Sequence, residues 1–242
     1  MIRVALVLLG WLLTGAGLMA QTELSGRDTT ELRIRQTTDF TVNGLGDHAN
    51  WTKTDWVPIT VQESAGRALG TRVKLLYSEA GLYFLFQADD EQLTATILED
   101  FGALYNEDVV EVFLWPDPSV PIYFEYELSP LNYELPILVP NVNGKFLGWK
   151  PWHYAGSQRT QHATSVQGGK KKSNAPIKGW TAEFFIPYKL MNPIVTTPPK
   201  PGTVWRGNLY RIDYDRGYQT WSWRKTSGSF HEFAKYGPIR FD

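Results

Sequence analysis

Apolar and polar positions alternate with a period of two in several short blocks, the spacing of half-buried strands. The plainest block is IYFEYEL (122–128). Ile122, Phe124, Tyr126 and Leu128 fall on one face, and Tyr123, Glu125 and Glu127 on the other. TRVKLLYS (71–78) and GLYFLFQAD (81–89) flank a Glu-Ala-Gly turn and predict a hairpin. VVEVFLW (109–115) and IYFEYEL flank the turn residues of WPDP and predict another. YELPILVP, WTAEFFIP, VWRGNLYRID, TWSW and GPIRF continue the pattern. No long helical periodicity occurs after the first twenty residues. Many short strands with Gly and Pro between them predict an all-β chain, an antiparallel β-sandwich of jelly-roll type.

Residues 141–179 break this rhythm. They hold Gly, Asn, Ser and Gln, the run Lys170-Lys171-Lys172, and Trp149, Trp152 and Tyr154. A long loop with one strand near 159–166 is predicted, the lysine run being a solvated loop tip. PIVTTPPKPG (193–202) reads as a proline-rich connection. Residues 21–38 read as a linker or an edge strand, and 39–242 as one domain.

The N-terminus changes the picture of where the chain works. Arg3 precedes VALVLLGWLL, an apolar run too short to span a bilayer comfortably, and TGAGLMA ends at Ala20. This predicts a signal peptide over 1–20 and a secreted chain, extracellular or periplasmic. Its loss removes Arg3 and leaves 23 basic against 25 acidic side chains, a net charge of −2. So balanced a charge argues against nucleic acid and anionic membranes as partners. The chain has no cysteine, which excludes disulfides. Ten tryptophans are many for this length. A β core accounts for most of them, with Trp180 and Trp223 inside strand motifs, and leaves some rings to stack on a ligand.

Candidate chemistry centres on one oddity. In LYNEDVVEVFLWPDP (104–118), Glu111 stands among β-branched and aromatic residues, and Asp108 opens the run. Acids on strands are most often outward and solvated. Glu111 with Glu125 or Glu127 could form the carboxylate pair of a glycoside hydrolase, although no motif marks them. No G-x-S-x-G elbow, zinc-spaced histidine pair or phosphate-cradling loop occurs. Asp89-Asp90-Glu91 and Asp213-Tyr214-Asp215 are oxygen-rich turns of a kind calcium uses, and turn chemistry accounts for both. A carbohydrate ligand fits best: rings stack on its C–H face, and carboxylates accept from its hydroxyls.

Spaced motifs then carry a resemblance. TVNGLGDHANW (41–51), GLYFLFQADD, NEDVVEVFLWPDP, YFEYELSPLN, GWTAEFFIPY, GTVWRGNLYRID, WSW and FHEFAKYGPIRF stand in order from about residue 39 to 242. The chain resembles family 9 carbohydrate-binding modules and the related secreted family-9-like proteins, which share a DOMON-like β-sandwich. The resemblance implies a non-catalytic glycan binder working beside polysaccharide-degrading enzymes. It implies an aromatic clamp at Tyr105 and Phe230 and a sugar-contacting strand glutamate at Glu111. Glu125 stands where such modules carry an arginine contact, and Asn43 where an aspartate is usual. Trp149 and Trp152 lie in a longer segment that matches the family-9-like branch and offer additional aromatic contacts. No cofactor is implied. A structural calcium stays open, as do two rivals: a hydrolase using Glu111 and Glu125, and a DOMON-like haem domain. Haem needs axial Met or His ligands, and Met191 and the scattered His48, His153, His162 and His231 are the candidates.

Overall fold

A computed structural model describes residues 31–62, 69–142, 145–192, 194–195 and 198–242. The signal-peptide expectation lies outside the described residues. Fifteen strands are described. They begin with β1 (Leu32–Gln36), β2 (Val57–Pro58), β3 (Val61–Gln62), β4 (Thr71–Tyr77) and β5 (Gly81–Asp89). β6 (Val109–Trp115), β7 (Ile122–Leu128), β8 (Glu134–Val142), β9 (Lys145–Phe146) and β10 (Lys150–Pro151) follow. β11 (Gln161–Gln167), β12 (Gly179–Pro187), β13 (Val204–Asp213), β14 (Gln219–Ser222) and β15 (Gly237–Phe241) complete the set.

Two layers result. The first runs β10-β8-β7-β6-β13-β15, with β14 on β13, β3 on β14 and β9 on β8. The second runs β4-β5-β12-β11, with β2 on β4. Every pairing within a layer is antiparallel, as the sequence predicts. The exception is β1, which pairs parallel with β15 at Leu32–Ile34 and then parallel with β4 at Arg35–Gln36. β1 thus bridges the layers at the edge of each, and the overall sheet is mixed.

The period-two alternation explains the packing. Val110, Val112, Leu114, Phe124, Tyr126 and Leu128 of the first layer meet Phe84, Trp180, Ala182 and Phe184 of the second in one core. Tyr126 reaches across to Phe184 with ring centroids 4.8 Å apart. Trp180 and Trp223 are buried, as expected of core tryptophans. Each layer has an outer face as well. On the second, Val42, Trp51, Tyr83, Leu85 and Phe185 pack together under the segment that precedes β2. On the first, Val109, Phe113, Tyr123, Leu135, Ile137 and Tyr210 pack together, and beside them lies a cavity.

Candidate functional site

The cavity over the outer face of the first layer measures about 920 Å³. That is within the range of ligand clefts, roughly 300–1,000 Å³. Strand registry builds its floor. Glu111 on β6 stands directly opposite Glu127 on β7 and Tyr210 on β13. Glu125 lies two residues along on the same face as Glu127, opposite Phe113 and Ile137. Directly opposed strand residues have Cβ atoms about 5 Å apart. All three acids line the cavity and are nevertheless buried, Glu111 2 %, Glu125 3 % and Glu127 0 % exposed. The usual expectation for strand acids, an outward and solvated face, fails here because flanking loops rise around the sheet.

These carboxylates have little to satisfy them. Neither oxygen of Glu127 has a hydrogen-bond partner among the described residues, and Glu125 Oε2 has none. Burial alone pushes the Glu111 carboxyl up to about 8. Burial first, then the neighbouring Glu111 charge, pushes Glu125 and Glu127 upward as well, with the Tyr105 backbone N–H acting against this at Glu127. Like charges this close in a dry site resist ionising together, so the three titrate as a unit.

His231 stands nearest. Its Nδ1 lies 2.6 Å from the Tyr123 hydroxyl and 3.7 Å from Glu125 Oε2. Burial lowers the ring's pKa to about 4. The ring is neutral near pH 7, so the 3.7 Å approach is no ion pair there.

Loops supply the walls. Tyr105 sits in a 3-10 turn, Leu104–Asn106, just before β6. Its carbonyl accepts from the Tyr214 hydroxyl at 3.3 Å, and its ring meets Trp149 edge-on at 6.2 Å. Phe230 is stacked on Tyr210 at 3.9 Å, and its carbonyl accepts from the Tyr210 and Tyr236 hydroxyls, each at 3.0 Å. Phe146 of β9 stacks on His231 at 4.2 Å. So Tyr105, Glu111, Glu125, Trp149 and Phe230 come together around one cavity.

Trp152 does not join them. It packs against the core between the layers and donates its indole N–H to the Leu190 carbonyl at 2.9 Å. Three positions from Trp149, it follows β10 across to the other side of the sheet. Sequence reasoning missed Phe146, His231, Tyr214 and Tyr218, which also line the cavity. They sit in loops or, for Phe146, in the two-residue strand β9, where no periodicity reports direction. Glu127 was signalled by its alternation with Glu125.

The other acidic motifs have structural tasks. Asp108 accepts from Thr94 N at 2.6 Å and Tyr214 N at 2.9 Å, tying the loops before β6 and after β13 together. Asp90, Asp213 and Asp215 cluster with oxygens within 4.8 Å of one another. The buried Arg211 guanidinium stands among them, 2.8 Å from Asp213 Oδ2 and 3.2 Å from Asp90 Oδ2. The latter contact is an ion pair, and Asp90 Oδ2 has no hydrogen-bond partner among the described residues. Asp215 is taken by Gln92 N at 2.8 Å and Thr94 Oγ1 at 2.7 Å. Arg211 supplies the positive charge there, so these residues do not fit a calcium ion. Met191 is buried in the core between the layers, away from the cavity, so it cannot serve as an axial ligand there.

The family comparison agrees with the motifs. Residues 42–136 match the family described as carbohydrate family 9 binding domain-like. That bears out the family 9 resemblance. No curated protein matches it. A Bacteroides uniformis ATCC 8492 protein, provisionally assigned as carbohydrate-binding, superposes with a TM-score of 0.72 at 14% identity. The match covers 88% of this chain and 99% of that one. A family 9 module from Caldicellulosiruptor kristjanssonii in complex with cellotriose gives 0.63 at 15% identity, over 88% and 93% of the two chains. A module from the same organism in complex with glucose gives 0.61 at 16%, over 87% and 95%. At such identities the likeness is one of fold.

Proposed function

We propose that this chain is a non-catalytic carbohydrate-binding protein that seats a sugar unit over Glu111, Glu125 and Glu127, with the rings of Tyr105 and Phe230 against it. One observation carries the reading: a cavity of about 920 Å³ joins aromatic rings to three buried carboxyls, two of them with unpartnered oxygens. A sugar offers a C–H face to rings and hydroxyls to acids, and those hydroxyls would give the orphaned oxygens partners. Trp149 and Phe146 extend the aromatic wall. The family match over 42–136, and the cellotriose and glucose held by similar folds, support the same ligand class.

Hydrolysis fits less well. A glycosidase keeps one carboxyl protonated and its partner ionised by giving them different environments. Here burial drives all three in one direction. A haem domain fits less well again, since His231 is the one histidine lining the cavity among the described residues. The apolar run before Ala20 supports export, and with it a role beside polysaccharide-degrading enzymes. Intact mass of the exported protein checks this part: a start at Gln21 is expected, and a retained Met1 contradicts it.

A glycan array on the chain from Gln21, followed by calorimetric titration of a hit, tests the site. Each stacked ring contributes about 1–3 kcal/mol by analogy with base stacking. Tyr105→Ala and Phe230→Ala should therefore each weaken binding about tenfold. Unchanged affinity in both overturns the clamp.

A further inference from the structure

We propose that the cavity selects a positively charged glycan, an amino sugar with a free amine, whose ammonium sits against Glu125 and Glu127 while its ring lies among Tyr105 and Phe230. This inference rests on the carbohydrate reading above and names its ligand class.

The floor is the reason. Glu127 is fully buried and Glu125 nearly so, yet three of their four oxygens have no hydrogen-bond partner, and both side chains line the cavity. That is unusual for this molecule. Other buried acids are met by donors, Asp108 by Thr94 N and Tyr214 N, and Glu183 by four N–H groups. Glu111 adds a third acid directly across the strand pair from Glu127. The groups facing this patch do not neutralise it. His231 approaches Glu125 with a nitrogen already engaged by Tyr123. Tyr105, Tyr214 and Tyr218 are phenols on the walls, and Lys225 is exposed at the rim.

A neutral sugar would bring hydroxyl donors to these oxygens but no charge. An ammonium brings three donors and the missing charge together, which matches two unpaired carboxylates on adjacent positions of one strand face. The surrounding rings favour a cation too. N-acetylation removes the charge and two of the three donors from the same nitrogen while leaving the ring in place.

Calorimetric titration of the wild-type chain at about pH 7 with three β-1,4 trisaccharides tests this. They are the trimer of glucosamine, its fully N-acetylated form and cellotriose, which differ at one ring substituent. The glucosamine trimer is expected to bind at least tenfold more tightly than the other two. Glu125→Gln and Glu127→Gln keep shape and remove charge, so each should reduce that ratio toward one. If a neutral trimer binds as tightly as the amine, the inference fails and the carbohydrate reading stands. If no trimer binds and the array is also empty, both fail. The wild-type comparison decides the matter even where a glutamine variant does not fold.

Discussion

Glu183 and Glu127 occupy corresponding ground on the two layers. Each is a glutamate on a central strand, each points to the outer face, and each is 0 % exposed. Their surroundings differ completely. Glu183 Oε2 accepts from the backbone N–H groups of Asn43 at 3.0 Å, Gly44 at 2.8 Å and Gly46 at 3.3 Å. Its Oε1 accepts from the Trp51 indole at 2.8 Å. The segment carrying those donors folds over the second layer and closes it. Gly44 adopts φ +82, and a Cβ there would meet the Ala163 backbone at 2.9 Å, so only glycine can bring its N–H so close. On the first layer nothing of this kind covers Glu127, and a cavity remains. One buried carboxyl is a latch with both oxygens engaged. The other, among the described residues, has no such set of donors. Burial of an acid alone does not separate the two; the supply of donors does.

The sharpest way to break this comparison is to disable the latch. In Glu183→Gln one acceptor becomes an NH2, and either orientation sets it against the Trp51 indole or three backbone donors. Stranding buried donors and a buried amide should cost about 3–5 kcal/mol. A thermal melt should show the largest loss of any single change discussed here. A melt like that of wild type would mean the segment 43–51 closes without its carboxylate.

Next in size is a pH effect on the other layer. Burial holds the Glu111 carboxyl at about 8, above its ordinary 4.5, so the folded chain binds more protons than the unfolded chain between those values. Its contribution is therefore intact below about pH 4.5 and turns unfavourable as pH rises toward 8. Glu125 and Glu127 act in the same direction, whereas His231, lowered to about 4, acts in the opposite one. Subtracting wild type from Glu111→Gln cancels those shared terms to first order. The variant should gain on the order of 2 kcal/mol relative to wild type between about pH 5 and pH 7. Urea melts at the two pH values check this, and a pH-independent difference would contradict the buried, unpaired state of Glu111.

The smallest expected effect separates two neighbouring tryptophans. Trp152→Phe removes one hydrogen bond, to Leu190, and should cost about 1 kcal/mol of stability with glycan affinity unchanged. Trp149→Ala should instead weaken binding, since its ring stands at the cavity wall beside Tyr105. Equal effects on affinity would erase the distinction between the two sides of the sheet.

Much of this was legible in the chain. The alternation at 122–128 put Phe124 and Tyr126 in the core and Glu125 and Glu127 on the opposite face, because a strand reverses direction at every residue. The pairs 71–78 with 81–89 and 109–115 with 122–128 form the antiparallel neighbours their turns predict. Other features follow from tertiary placement and leave no local signal. β1 pairs parallel on both sides, and only the meeting of Leu32 with Ile239 and of Arg35 with Leu76 reveals it. Phe146 of β9 and Tyr218 and His231 of separate loops reach the cavity. Asp108 and Glu111 are three residues apart in one motif, yet the first ties loops together and the second faces the cavity. TVNGLGDHANW served as a family signature, and its physical content is the latch around Glu183, which lies more than a hundred residues away.

Calorimetric titration of a glycan that wild type binds, repeated on Glu127→Gln and Glu183→Gln at about pH 7 with a melt of each, tests the central claim most directly. The account predicts a crossed pattern. Glu127→Gln loses at least tenfold in affinity without losing stability, while Glu183→Gln loses stability and, at a temperature where it remains folded, keeps its affinity. Wild-type affinity in Glu127→Gln would contradict the assignment of the first layer's buried acids to ligand binding.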